Sequence, residues 1–150
     1  MPPPPLQFGD PDPSLTYTDR QAAFGVAARD GKIACVRIDR GADSYIDLPG
    51  GALDAGEGEE AALAREFAEE TGLVVEAGPV LVRVRQYFVK SDGRAVNNLA
   101  GFWTAEVERE DPTTKIEDDH ELHWLDPQRA LSELRHDAHA WAVAIWLRRR

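Results

Sequence analysis

The sequence predicts an α/β fold in which helices cover a mixed β-sheet. Short apolar segments separated by turn signals are typical of strands, and three longer segments have the composition or the caps of helices. Hairpin turns outnumber the longer crossover connections, so antiparallel pairing is expected beside some parallel pairing. The chain has 150 residues, of which 43% are hydrophobic and 29% are charged, as in one globular domain.

The predicted elements follow from local signals along the chain. The strands cover residues 22–28, 33–38, 45–48, 80–89, 99–107 and 123–125, and the helices cover residues 58–71, 126–134 and 137–149. Asp30-Gly31 is a hairpin turn signal between the first two strands. Gly72 suits the position after the first helix, and Asp126 is a good N-cap for the second. These signals predict a glycine-rich loop before the first helix and an acidic loop before the last strand.

The first fourteen residues form a segment of different composition. Residues 1–14 hold six prolines, which lack backbone donors and favour extended conformations. We expect a loose Pro-rich arm here, and a short strand that covers the domain is the alternative. Residues 15–150 are expected to form a single domain.

The charge of the chain limits the partners it can have. There are 27 acidic and 17 basic residues, for a net charge of −10. This balance argues against a nucleic-acid polymer and against an anionic membrane, because both attract Lys and Arg. One cysteine, Cys35, fits a reducing compartment, and no apolar run approaches the ~20 residues of a membrane span. We therefore expect a cytoplasmic protein.

The first predicted helix carries an unusual cluster of acids. Glu66, Glu69 and Glu70 fall on one face of the helix, beside its apolar stripe. Their mutual repulsion and their place near the negative end of the helix dipole disfavour the folded helix. A solvated acidic face is one explanation. Binding of divalent cations is the other, since Mg²⁺ prefers oxygen ligands and the glycines of residues 50–56 let backbone carbonyls approach the same point.

The spacing of this segment resembles a known motif. It reads Gly51, five residues, Glu57, seven residues, Arg65-Glu66-Phe67, one residue, Glu69-Glu70, one residue, Gly72-Leu73. This resembles the Nudix box, the defining motif of the Nudix hydrolases. Phe67 departs slightly from the pattern, because the family usually has a bulky aliphatic residue there, but it remains large and apolar.

The resemblance implies a Nudix-type α/β/α sandwich and hydrolysis of a nucleoside diphosphate linked to another group X, with Mg²⁺ or Mn²⁺ as cofactor. The substrate would be a small nucleotide-like molecule, and the chain would be a monomer or a homodimer. By the same resemblance, Glu66 and Glu70 would be metal ligands and Glu69 would share the site. Glu57 would be an auxiliary ligand, and a carbonyl at Gly51 would complete the coordination.

The resemblance also assigns catalytic roles, and it leaves the general base open because members of the family differ. Arg65 would orient the carboxylates through a salt bridge. Glu66 or Glu69 is the first choice for the base. Glu121 and Glu117, in the acidic segment before Trp124, are the outside candidates, and either can instead be simply exposed.

The substrate is left open between several classes. A nucleoside triphosphate is the first choice, and a dinucleoside polyphosphate or a nucleotide sugar is the alternative. ADP-ribose is less favoured, because the region of residues 87–90 lacks the proline that the ADP-ribose type commonly has after the box. A non-catalytic domain that binds nucleotides or a partner protein comes last, since such a domain need not keep these acids.

Residues outside the motif have both functional and structural explanations. Arg83, Arg85 and Gln86 can contact phosphate or simply lie on a strand surface. Aromatic residues can stack on a base, although such residues in strands are more often core: Tyr45, Tyr87, Phe102, Trp103 and Trp124. Asn97-Asn98 can read a base edge or form a turn. The pairs His120/His123 and His136/His139 are expected to be ordinary histidines and not zinc ligands.

Overall fold

The computed structural model describes residues 3–150. Met1 and Pro2 of the predicted arm lie outside the described residues. The strands are β1 (Gln7–Phe8), β2 (Thr18–Arg29), β3 (Lys32–Arg40), β4 (Asp43–Asp47), β5 (Gly50–Ala52), β6 (Leu73–Val89), β7 (Ala95–Glu110) and β8 (His120–Leu125). The helices are α1 (Glu59–Thr71), α2 (Pro127–Glu133) and α3 (Asp137–Arg149), and residues 112–114 form a 3-10 turn.

The strands form one curled mixed sheet, as predicted. The order is β1-β6-β7-β2-β3-β4, with β5 paired to β2 and β8 paired to β3. The pairs β1/β6 and β2/β7 are parallel, and the remaining pairs are antiparallel. The parallel β2/β7 pair lies at the centre of the sheet and brings Thr18 beside Val96.

Helices pack on both faces of the sheet, which confirms the α/β/α sandwich. Successive residues of β2 alternate between two cores, because side chains of a strand point to opposite faces. Phe24 belongs to the core beneath α2 and α3. Ala23 belongs to the core beneath α1, together with Leu63 and Phe67.

Gly25 explains how a phenylalanine fits at position 67. This glycine of β2 faces α1, and a Cβ atom there would lie 2.8 Å from Cε2 of Phe67. The Phe67 side chain is fully buried. The absent side chain at Gly25 therefore provides room for a ring where the motif usually has an aliphatic residue.

The N-terminal arm adds a strand to the sheet instead of lying loose along its described length. Gln7 and Phe8 pair in parallel with Arg85 and Gln86 of β6. This is the alternative of a short covering strand. Residues 6–10 contain no proline, so they have the N–H groups that the prolines on either side lack.

Several boundaries differ from those predicted, and each difference reflects pairing with a distant strand. β6 and β7 begin or end several residues beyond the predicted strands, because they pair along nearly their whole length despite irregular register near Ala77 and Val80. β5 occupies part of the predicted glycine-rich loop and pairs with β2. β8 begins at His120 because that residue lies opposite Ile38 of β3. Among residues 3–150, no helix has the length and apolar character needed to cross a membrane.

Candidate active site

The last turn of α1 is joined to β5 through a buried carboxylate. The backbone N–H of Gly50 donates to Oε1 of Glu70 at 3.0 Å, and the Glu70 side chain is buried. Gly50 has φ +145°, and a Cβ atom there would lie 2.2 Å from the carbonyl oxygen of Ala23. Only glycine fits this position, so the local sequence brings the backbone of β5 within hydrogen-bond distance of the helix.

Arg65 links four residues of the motif. Its guanidinium donates five hydrogen bonds of 2.9–3.2 Å, two to Glu57, one each to Glu66 and Glu69, and one to the carbonyl oxygen of Ala52. The hydrogen bonds from Arg65 and from the Asp54 N–H lower the pKa of Glu57 to about 2. Glu57 and Glu66 in turn raise the pKa of Arg65. The sequence placed these residues at suitable spacings, and the structure brings them into contact.

Gly51 lies directly against the Glu66 carboxyl group. A Cβ atom at Gly51 would lie 3.0 Å from Cδ and 3.1 Å from both carboxyl oxygens of Glu66. The absence of a side chain at Gly51 therefore lets the backbone of β5 pack against a partly buried carboxylate. A hard cation takes carboxylate and carbonyl oxygens of this kind, so the donor set fits Mg²⁺ or Mn²⁺.

His120 is a site residue that sequence reasoning missed. Its Nε2 lies 3.4 Å from Oε2 of Glu70, and its Nδ1 lies 2.7 Å from Oδ1 of Asp119. Burial favours the neutral ring, but these two carboxylates outweigh burial and raise the pKa of His120. Burial also raises the pKa of Glu70, and the negative charge of Glu66 adds to that rise. The sequence spacing between His120 and α1 gives no indication of this contact. The pairing of β8 with β3 is what brings His120 close to α1.

The acidic loop is fastened to the C-terminal end of α1. The N–H groups of Ile116 and Glu117 both donate to the carbonyl oxygen of Glu69, at 2.9 and 3.1 Å. Thr114 Oγ1 donates to the carbonyl oxygen of Ala68 at 3.2 Å. These bonds satisfy carbonyls that a helix end leaves free, and they hold Glu117 beside the glutamates.

A cleft of about 370 Å³ opens in front of these carboxylates. Its acidic wall contains Glu66, Glu70 and Glu117, with His120 beside them. The remaining lining is largely basic and aromatic, and we call this part of it the basic wall: Arg20, Arg40, Tyr45, Phe88, Lys90 and Arg135. The cleft therefore combines oxygen donors for a cation with positive charges and rings that suit a nucleotide.

Glu117, Asp119 and His120 could also be considered as a cation site, because their ligand atoms lie within 4.8 Å of one another. However, each nitrogen of the His120 ring already faces a carboxylate, that of Glu70 or that of Asp119. The ring has no free nitrogen with which to coordinate a cation. We therefore treat His120 as a support for Glu70.

Glu121, an outside candidate for the general base, does not line the cleft. It lies on the face of β8 opposite His120, and its exposed carboxylate contacts His123 Nε2 at 2.9 Å. His120 and His123 therefore face opposite sides of the strand, as expected.

The other residues with two explanations divide between the cleft and the scaffold. Tyr45 and Asn98 line the cleft. The remaining ones make contacts elsewhere: Arg83 and Trp103 with Glu59, Gln86 with the Ala138 N–H, Asn97 with Gln7, Tyr87 with Tyr17, Phe102 with Phe24, and Trp124 with Arg29. Arg85 pairs with β1 through its backbone.

The described geometry agrees with a match over most of the chain. A protein-family model described as the NUDIX domain matches residues 19–147. The chain belongs to the Nudix family. It is thus a Nudix pyrophosphohydrolase, and Gly51, Glu66 and Glu70 of its motif line the cleft. No curated protein matches this Nudix chain significantly.

Solved structures of Nudix proteins share the fold. A NUDIX hydrolase from Nitrosomonas europaea is 24% identical, with 86% of this chain and 88% of that chain covered and a TM-score of 0.67. A MutT protein from Methanosarcina mazei Go1 is 20% identical, with coverages of 90% and 97% and a TM-score of 0.67. An ADP-ribose pyrophosphatase from Streptococcus suis 89-1591 is 19% identical, with coverages of 87% and 90% and a TM-score of 0.63.

Proposed function

We propose that this Nudix protein hydrolyses a pyrophosphate bond of a nucleoside triphosphate or a related nucleotide. The observation that supports the proposal most directly is the position of Glu66 and Glu70. Both line the cleft. Glu66 accepts a hydrogen bond from Arg65, and Glu70 accepts one from the Gly50 N–H. Two carboxylates that are oriented by fixed hydrogen-bond donors are suited to cation-assisted phosphoryl chemistry.

The residues that would hold Mg²⁺ or Mn²⁺ are Glu66 and Glu70, with Glu69 sharing the site, Glu57 auxiliary and the carbonyl of Gly51 completing the set. When bound, the cation would neutralise phosphate oxygens and lower the pKa of the attacking water. The close approach of Gly51 to the Glu66 carboxyl group supports this donor set.

The chain's own groups would orient the water and accept its proton. Water oxygen attacks phosphorus, its proton passes to a carboxylate, and the bond from phosphorus to the leaving phosphate oxygen breaks. Glu66 and Glu117 line the cleft and are favoured as acceptors on that ground. Glu69 is the other first choice for the proton acceptor, and its carboxylate accepts a hydrogen bond from Arg65. Glu121 lies outside the cleft and is not favoured.

Replacing Glu70 tests the proposal. The change Glu70→Gln keeps an oxygen for the Gly50 N–H but removes the charge, so we expect metal-dependent turnover to fall by at least about 100-fold. Turnover should be measured with Mg²⁺ and with Mn²⁺ on nucleoside triphosphates, dinucleoside polyphosphates, nucleotide sugars and ADP-ribose. Product analysis then names the substrate class.

The matched control is Glu60→Gln, an exposed glutamate in the first turn of the same helix. It should retain the activity of the unchanged protein. Equal activity of the two variants would remove Glu70 from the site. No turnover of any substrate by folded protein that binds the cation would favour a non-catalytic Nudix domain.

A further inference from the structure

The basic wall of the cleft contains four cationic side chains, and only some of them form close ion pairs with carboxylates: Arg20, Arg40, Lys90 and Arg135. Arg135 donates two hydrogen bonds to Asp47, at 3.1 and 2.6 Å, and lies over the Tyr45 ring. Arg40 forms an ion pair with Asp119. These two arginines have partners, so their charges are compensated within the fold.

Arg20 is compensated less directly, by the charge of Glu66 beyond ion-pair distance. Its Nε donates to the neutral Oδ1 of Asn98 at 2.8 Å, and its guanidinium lies 5.7 Å from the centre of the Phe88 ring. Within residues 3–150, no carboxylate oxygen lies at ion-pair distance from this guanidinium. Arg20 and Asn98 are register partners in the parallel β2/β7 pair, so the sheet itself holds the arginine in the cleft.

Lys90 adds a second poorly compensated charge. Its Nζ lies 3.9 Å from Oδ2 of Asp92, and that carboxylate accepts a shorter bond from Arg94, at 2.8 Å. Burial lowers the pKa of Lys90, and the charges of Arg94 and Arg20 act in the same direction. Burial likewise lowers the pKa of Arg20. Arg20 and Lys90 line the same cleft, so an anion bound between them would relieve the repulsion of their like charges.

We propose that Arg20 and Lys90 form an anion subsite that binds a third phosphate group of the substrate, beyond the pyrophosphate that is cleaved. The inference rests on the proposed function, because these cations line the same cleft as Glu66 and Glu70. The free edge of the Arg20 guanidinium can bind two phosphate oxygens, and Lys90 adds a point charge.

The subsite specifies a substrate class. Nucleotides with three or more phosphates in series can occupy it, whereas the sugar of a nucleotide sugar brings no charge to it. Nucleoside triphosphates and dinucleoside polyphosphates share this chemistry. Measuring the binding of each class separately shows which of the two the subsite takes.

Binding of non-hydrolysable analogues tests the subsite without requiring turnover. An α,β-imido adenosine or guanosine triphosphate and the matching α,β-imido diphosphate are titrated by calorimetry in Mg²⁺. We expect the triphosphate to bind at least about tenfold more tightly than the diphosphate, because a charge-assisted contact is added. A non-hydrolysable dinucleoside tetraphosphate forms the second arm.

Variants of the basic wall decide whether Arg20 is responsible. Arg20→Gln should reduce the preference for the triphosphate to about twofold or less, and Arg20→Lys should retain part of it. Arg37→Gln, on an exposed position of β3, is the control and should keep the full preference. Circular dichroism checks that each variant is folded.

The outcomes separate this inference from the proposed function. Equal binding of triphosphate and diphosphate by the unchanged protein, or an unaltered preference in Arg20→Gln, would overturn the subsite even if the enzyme is active. Turnover that is lost in Glu70→Gln, without any third-phosphate preference, would keep the proposed function and remove only the subsite. A preference abolished by Arg20→Gln in a protein that hydrolyses nothing would leave the subsite standing alone.

Discussion

At the scale of single residues, the backbone of Gly51 shapes the carboxylate site. Gly51→Ala would place a methyl group 3.0–3.1 Å from the carboxyl atoms of Glu66 and so displace them. We expect kcat to fall about 10- to 100-fold, with a loss of at most about 1 kcal/mol in the free energy of unfolding. Steady-state kinetics and urea unfolding measure the two effects.

Gly58→Ala is the matched control for that substitution. A Cβ atom at Gly58 would meet no heavy atom within 4 Å, and the residue precedes the same helix. This variant should keep its activity. A similar loss of kcat in both variants would mean that chain flexibility, and not contact with Glu66, makes Gly51 necessary.

Arg65 acts through the planar shape of its guanidinium, which is why lysine should not replace it. A lysine cannot reproduce five hydrogen bonds to Ala52, Glu57, Glu66 and Glu69. Arg65→Lys should lower kcat about 10- to 100-fold and the free energy of unfolding by about 1–2 kcal/mol. Arg83→Lys changes a single exposed ion pair with Glu59 and should cost about 0–1 kcal/mol. Equal effects of the two changes would contradict the special role of Arg65.

At the scale of elements, the packing of α1 against β2 depends on a large residue meeting a glycine. Gly25→Ala would bring a methyl group within 2.8 Å of Phe67 and 2.9 Å of Leu63. We expect a loss of about 1–3 kcal/mol in the free energy of unfolding from this overpacking. Phe67→Leu alone should cost about 1–2 kcal/mol because it leaves unfilled space.

The double variant tests whether these two positions are coupled. In Gly25→Ala/Phe67→Leu, the added methyl group occupies part of the space that the ring vacates, so the combined loss should be smaller than the sum of the single losses. A double-mutant cycle measured by urea unfolding gives the coupling energy. Additive losses would show that the two side-chain positions do not compensate for each other.

At the scale of the whole molecule, two buried histidines make stability depend on pH. His136 and His139 lie between α3 and the sheet, and His139 Nδ1 accepts a hydrogen bond from the Leu48 N–H at 3.0 Å. Burial lowers the pKa of both histidines to about 3, from 6.5. Below pH 6.5 the unfolded chain takes up protons that the folded chain excludes, so stability falls with pH until about pH 3.

This linkage predicts a measurable acid sensitivity. At pH 5 each histidine should reduce the free energy of unfolding by about 2 kcal/mol relative to pH 7. In His136→Phe the difference between the two pH values should shrink by about that amount, as measured by urea unfolding. His123→Gln, in β8 with its side chain one third exposed, is the control and should keep the original difference. An unchanged difference in His136→Phe would disprove the assignment.

The sequence allowed much of the site to be predicted because its main parts lie within one motif. Glu66, Glu69 and Glu70 share a helix face by local periodicity alone, and Gly72 ends that helix in a left-handed conformation, φ 76°. Arg65 and Glu57 lie one loop and two turns apart, so their contact follows from short-range geometry. The family, the sandwich and the catalytic class are therefore properties that the sequence by itself determined.

Only the tertiary structure decided which residues face these acids across the cleft. His120 reaches Glu70 through the register of β3 and β8, and Arg20 meets Asn98 through the register of β2 and β7. The exposed position of Glu121 follows from the same strand register. Helix periodicity is local and can be read from spacing, whereas strand pairing joins residues that are as distant as Ile33 and Leu125. For that physical reason the proposed cation ligands could be named from the sequence, while the basic wall of the cleft could not.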